Sequence, residues 1–421
     1  MRILMMGAAV AVLAACGGGG EEPTDTTADT ETQTEKAASD SAATLEAGDD
    51  FQARLQTALI EAEEGSTITL PEGTFMMTDG LSLDVDGVTI AGAGQGATIL
   101  DFSEQRGSGE GLLVTADDVI LENFSIQETK GDGIKSKGAD RIVYRDLTVE
   151  WLGEPDPENG AYGVYPVEST DVLVERVTVR GASDAGIYVG QSDNIIVRDS
   201  VAEKNVAGIE IENSTRADVY GNVVTQNTGG VLVFDLPDLP VMGGHSTRIH
   251  DNDIYSNNTP NFAPPGNIVA GVPAGTGVIV MANDRVVVED NRFEDNQSVQ
   301  VLITAYTEPF TDEDYNPLPR NVVVRSNDYG SGGNNPQGML GDFAPLLGGS
   351  LPPIVWDGVT RWEGQDDTDV SLAIDEPETI GFVNLGLGTY PVDIANVSPS
   401  MDRPSGDGFG SLDPVKLSHA E

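Results

Sequence analysis

Cysteine is almost absent: Cys16 is the only one in 421 residues, so the folded part holds no disulfide and no thiol chemistry. Basic residues are scarce, with 22 Lys and Arg against 69 Asp and Glu and a formal charge of −47. A surface this acidic repels nucleic acid and anionic lipid, and repels a polyuronate unless a cation or a local basic patch intervenes. It also serves solubility in salty surroundings, where screening shortens the reach of the charges. Of the three histidines, His245 and His250 lie five apart across a loop–strand junction, a weak basis for a metal site, and no metal ligand set is assigned. Gly-x-Ser-x-Gly, His-Glu-x-x-His and Cys-x-x-Cys-His are missing, which removes the common hydrolase elbows and haem attachment. No helix-period runs occur in the repeat region, which excludes leucine-rich and helical repeats.

What is present is one pattern written repeatedly between residues 131 and 234. Each copy opens on Gly-aliphatic: Gly133-Ile134, Gly163-Val164, Gly186-Ile187, Gly208-Ile209, then Gly230-Val231. The intervals are 30, 23, 22 and 22 residues. Short runs of period-two alternation repeating at about 22 residues predict a solenoid of stacked strands, a parallel β-helix. Asn205, Asn227, Asn257 and Asn296 close successive coils, and Asp146, Asp199, Asp251 and Asp290 mark a tighter corner. Stacked in register, such side chains bond the turn amides of neighbouring coils.

Taken in order, residues 1–15 read as an export signal ending Leu13-Ala14-Ala15 before Cys16, the expected lipidation site. Residues 16–48 are small, polar and acidic, a flexible tether. Residues 49–65 predict an amphipathic helix, with Phe51, Leu55, Ala58, Leu59 and Ala62 on one face, that caps the open end of the solenoid. The β-helix is expected over 66–335, and 336–421 as an irregular C-terminal cap, its last 30 residues loosely ordered. Four insertions interrupt the period. Those starting at Trp151 and Thr259 precede the Gly-aliphatic strand, and those starting at Phe234 and Tyr306 follow it, so loops wall both edges of one strand column.

On that column the residue after the aliphatic one points outward. Lys135, Tyr165, Tyr188 and Glu210 are therefore expected as a stripe, with Asp184 completing the candidate catalytic set. Asp132, Lys137, Trp151, Tyr162, Glu212, Phe234 and Asp235 are candidate substrate contacts. Aromatic faces pack on sugar rings while carboxylates and ammonium groups bond hydroxyls. A Lys base with a Tyr acid suits β-elimination or C5 epimerisation of a uronate; Glu210 with Asp184 suits a hydrolase pair. No cofactor is required by either; Asp312-Glu313-Asp314 leaves room for Ca²⁺.

The stretches GDGIKSKG, ENGAYGVYPVES, VRGASDAGIYVGQS, VAGIEIENS, NTGGVLVFDLPDLPVMGG and NNTPNFAPPGNIVAGVPAGTGV resemble a family of bacterial parallel β-helix repeat lipoproteins, over roughly residues 50–335. The resemblance implies an all-β, right-handed, pectin-lyase-like β-helix, export, and lipid anchoring in the cell envelope, in the outer membrane. It brings no activity with it. Members look like distant relatives of pectate lyases, alginate epimerases and the periplasmic β-helix protein of copper-enzyme maturation. They tend to occur beside a c-type cytochrome, which implies a periplasmic protein partner as the alternative to a polysaccharide. A monomer is expected. The polygalacturonase signature is absent: there is no Asn-Thr-Asp and no Gly-His-Gly.

Overall fold

The computed structural model describes residues 42–419, apart from 108, 365, 369, 393–396 and 405–409. The expected signal, Cys16 and most of the tether lie outside the described residues. Within them the chain coils into three parallel sheets of 12, 11 and 10 strands, the rungs between Thr67 and Tyr329 contributing to each in turn. The alternation of the sequence is the cause. Ile187 and Val189, like Ile209 and Ile211, turn into the interior and are fully buried. Their column continues rung by rung, Val164 beside Ile187, Ile187 beside Ile209, Ile209 beside Val231.

Both turn columns work as expected. Asp146, Asp199, Asp251 and Asp290 all take positive φ of 51° to 55°, the left-handed corner that Asp tolerates. Asn205, Asn227, Asn257 and Asn296 form a buried ladder. Asn205 donates through N–H and Nδ2 to Asn227 Oδ1 at 2.9 and 3.0 Å, and Asn227 repeats this on Asn257 at 3.2 and 2.9 Å. A second ladder, Asn222, Asn252, Asn291 and Asn327, follows the Asp corner and ends on Glu376. Asn227→Ala removes four side-chain bonds, including Nδ2 to Ala202 O at 2.9 Å, and strands buried turn amides. The expected loss is about 3 kcal/mol, read as a lower thermal midpoint; an unchanged midpoint would show the ladder to be ornamental.

The cap helix spans Phe51–Ile60 and buries Phe51, Leu55 and Leu59, with Phe51 stacked on Phe75 at 3.7 Å. Two boundaries move. A strand at Ala42–Thr44, inside the expected tether, pairs with Thr67–Thr69. At the other end the groove sheet continues past residue 335 through Ile354–Trp356 and Phe382–Asn384. The tail is not loose where described: Leu412 packs on Val287 and Val323, and Leu417 on Val143, Leu173 and Ile196. It covers an apolar outer stripe that water would otherwise wet.

Candidate functional site

The 11-stranded sheet presents the outward column read from the sequence. Leu113, Lys135 and Tyr165 are register neighbours, then Tyr188, Glu210 and Leu232, then Ile279 and Leu302. Lys135, Tyr165, Tyr188 and Glu210 therefore lie on successive rungs. The wall loops bury the column progressively. Ser82 is exposed and Leu113, Lys135 and Tyr165 are half-buried, whereas Tyr188 retains 5% exposure, Glu210 1% and Leu232 none.

At the buried part, three tyrosines meet. Tyr162 lies 4.6 Å from Tyr165 and 4.7 Å from Tyr188, and Tyr165 meets Tyr188 edge-on at 4.9 Å. Beside them a cavity of about 260 Å³ is lined by Tyr162, Asp184, Glu210, Glu212, Leu236 and the segment Asn267–Val269. Tyr188 Oη donates to Glu212 at 2.6 Å. Asp184 accepts from Asn267 Nδ2 at 2.9 Å and from Tyr162 Oη at 3.3 Å. Glu210 is different. It makes no side-chain hydrogen bond among the described residues, and its Oε2 is buried without a partner.

Burial dominates the electrostatics, because a carboxylate removed from water is costly. Burial and the neighbouring Glu212 and Asp184 charges push the Glu210 carboxyl well above the ordinary range. Burial, against the Tyr188 hydrogen bond, raises Glu212 to about 7. Burial raises Asp184 to about 6, partly offset by Tyr162 and Asn267. Tyr162 and Tyr188 are pushed far up by burial and by the nearby carboxylates, and Tyr165 to about 12. Near neutrality Glu210 thus keeps its proton and Glu212 is near its midpoint, beside the phenol donors of Tyr162 and Tyr188.

At the open end Lys135 Nζ lies 4.5 Å above the Tyr165 ring and pairs with Asp132 at 3.7 Å and Glu110 at 3.8 Å. Burial raises Asp132 to about 6, opposed by Lys135. Lys135 is three rungs, about 14 Å, from Glu210, so it stands beside Tyr165 and away from the carboxyl cluster. Lys137 is exposed at the groove edge, pairing with Glu168 at 3.5 Å.

Three expected contacts are corrected. Trp151 is not a wall aromatic. Its ring is buried in the core and Nε1 donates to Thr129 O at 2.7 Å, because the insertion it opens folds over it. Phe234 does point outward, beside Glu212, but the loops cover it completely. Asp235 is buried and engaged by the loop: it accepts the Gly243 and Gly244 N–H groups at 2.9 and 2.8 Å and ties that loop down. Asn267, Leu236 and Ile268 were not read as site residues; nothing periodic marks them, and Asn267 is 83 positions from the Asp184 it holds. Among the described residues no group of three or more His, Cys, Asp or Glu side chains converges as a metal site, and His245 and His250 bond their own neighbours Ser246 and Asp251.

Residues 86–241 match the family described as right handed beta helix region. Over 165 residues the chain is 30% identical to the mannuronan C5-epimerase AlgE4 of Azotobacter vinelandii, covering 36% of this chain and 27% of that one. The match therefore spans about a quarter of the curated relative's length. Among solved structures, a family 28 exopolygalacturonase of Yersinia enterocolitica is similar with a TM-score of 0.54 at 11% identity, covering 80% of this chain and 71% of that chain. The A-module of AlgE4 gives 0.47 at 18% identity, over 77% and 89%. The chain is a right-handed parallel β-helix with a pectin-lyase-like fold.

Proposed function

We propose that the groove binds a polysaccharide and modifies it by proton transfer between Glu210 and the Tyr188–Glu212 pair. One observation carries this reading: a buried carboxyl oxygen of Glu210 without a protein partner lies in the lining of a cavity shared with Tyr162, Asp184 and Glu212. Such an atom costs stability unless something else satisfies it, and a ligand is the economical candidate. The identity to a mannuronan C5-epimerase over part of the β-helix supports a uronate as the sugar. On a uronate, Glu210 takes the C5 proton once it has ionised above its raised value, and the electron pair passes into the substrate carboxyl. Tyr188 then returns a proton to C5 from the other face, giving epimerisation, and draws its replacement from Glu212. If the electron pair instead forms the C4–C5 double bond, the C4–O bond breaks and the leaving oxygen takes the Tyr188 proton, giving a lyase. Asp184, held by Tyr162 and Asn267, positions hydroxyls; Lys135 meets a substrate carboxylate at the open end. In the cell, Cys16 anchors this β-helix to the outer membrane.

The test is a panel of mannuronan, polygalacturonate and a neutral glucan, each with and without Ca²⁺. Unsaturated products are read by ultraviolet absorbance and C5 configuration by NMR. Tyr188→Phe is expected to lower turnover about a hundredfold with a normal fold. Silence across the panel, with a c-type cytochrome co-purifying, would instead favour a non-catalytic scaffold.

Binding of an anionic glycan carries a pH signature. Protonated below their raised values, Asp184 and Glu212 are neutral donors; ionised above them, they repel a uronate. Affinity for mannuronan is therefore expected to fall as pH rises through about 6 to about 7. Calorimetric titration of Glu212→Gln should show a shallower fall. A flat profile in wild type would point to a neutral sugar.

A further inference from the structure

The two walls of the groove do not stay apart. The segment 259–275 enters from the leading edge, before the strand Thr276–Met281, and forms a single 3₁₀ turn at Ile268–Gly271. The segments after Phe234 and after Thr304 enter from the trailing edge. Ile268 crosses to pack, with Leu236 and Met281, against Ala282, Tyr306 and Tyr315. Tyr315 Oη then locks onto Asp235 O at 2.6 Å, and Tyr306, Phe310 and Tyr315 pack ring against ring at 5.0 to 6.3 Å. Val269 and Val272 are buried beneath the turn, and Asn261 Nδ2 braces both of their carbonyls at 2.8 and 3.0 Å. The outward column shows the consequence. Leu232, Ile279 and Leu302 are apolar and at most 6% exposed, although nothing in their strand registers turns them inward. These are residues of a roofed floor. Lys135 and Tyr165, three and two rungs before Glu210, remain accessible.

We infer that the groove is blind: it is open toward Lys135, closed beyond Glu210 by the Ile268–Leu236 roof, and takes a polysaccharide only by a chain terminus. The inference rests on the polysaccharide reading above and specifies it. A terminal sugar sits against Glu210 and Glu212, where Tyr162, Asp184 and Asn267 form the side and the roof forms the end wall. The rest of the chain leaves over Tyr165 and Lys135. An internal segment has no exit past Leu232, so it cannot bring a mid-chain unit to Glu210. The apolar end wall also sets a preference: it accepts a terminus without further substitution and strands any polar extension against Leu236 and Ile268, where no hydrogen-bond partner awaits it.

The experiment uses mannuronan oligosaccharides in three forms: unlabelled, carrying a bulky fluorophore at the reducing end, or carrying one at the non-reducing end. The same is done with polygalacturonate oligosaccharides. Binding to the full-length protein is followed by anisotropy and by competition. One labelled form is expected to bind like the unlabelled chain and the other about tenfold or more weaker. In the variant Leu236→Gly with Ile268→Gly, the penalty on the blocked end is expected to shrink to within about threefold, because the roof is cut away. Equal tolerance of both labels by wild type overturns the blind groove and leaves the polysaccharide reading standing. Failure of every oligosaccharide and of the neutral glucan to bind overturns both. Should the double variant not fold, the wild-type comparison of the two ends decides alone.

Discussion

Replacing Glu210 by Gln is expected to lower turnover by about 10² to 10⁴ and, in the same protein, to raise stability above neutral pH. The first half follows from chemistry: an amide of the same shape cannot take a proton from carbon. The second follows from burial. The Glu210 carboxyl is 1% exposed, lacks a hydrogen-bond partner among the described residues, and neighbours Glu212 and Asp184, so its folded value is raised. An acid raised in the folded state is fully accommodated while protonated. As pH climbs past the ordinary glutamate range, the unfolded chain ionises freely and the folded chain does not. Stability is therefore present at low pH and lost on the way up. Gln cannot ionise and escapes that loss. At about pH 5 the two proteins should melt alike; at about pH 8 the variant should be stabilised, on the order of 1–3 kcal/mol. Thermal melts at the two pH values, beside initial rates or glycan binding, check both halves. A variant that loses stability at the higher pH would mean that the carboxylate is satisfied in the folded protein, and the case for an empty proton-transfer site would collapse.

Gly163→Ala is expected to destabilise by about 3 kcal/mol or more without touching the groove. A Cβ at position 163 would overlap the Val179 side chain and lie 2.6 Å from the Gly186 carbonyl oxygen. The same holds along the column: Gly133 meets the Gly163 carbonyl at 2.6 Å, Gly186 meets Asn205, and Gly208 meets the Gly230 carbonyl at 2.7 Å. The clash is with backbone of the next rung, so no side-chain rotation relieves it. Gly153→Ala, at a site with nothing within 4 Å, is the control and should be close to neutral. Circular dichroism melts and soluble yield report the difference. Equal behaviour of the two variants would remove the steric reason for the glycine that opens the coils from Gly111 to Gly277.

That glycine explains why so much was legible. In a solenoid the long-range contacts recur at nearly fixed sequence separation, so tertiary register is written as local periodicity. Gly163, the Ile187 column, the Asn205–Asn227 ladder and the Asp199 corner all announce themselves by spacing, and the outward stripe Lys135, Tyr165, Tyr188 and Glu210 follows by counting. The Asn222 ladder is spaced in the same way. What spacing does not encode is how an insertion folds once it leaves the rung. Trp151 stands beside a wall and Phe234 on the outward column by count, yet both are buried, because burying such a ring gains more than exposing it.

From its own periodicity, then, the chain determines a parallel β-helix, its rung register and the order of side chains along one face, since from Gly133 to Gly230 those contacts repeat between neighbours 22 to 30 residues apart. Only the tertiary structure decides which part of that face is a site. Asn267 reaching back to Asp184, and Ile268 meeting Tyr306 across the column, join residues tens of positions apart through loops without a period. Those contacts take water away from Glu210 and leave it at Lys135, and the difference in solvation turns a stripe of polar residues into a pocket.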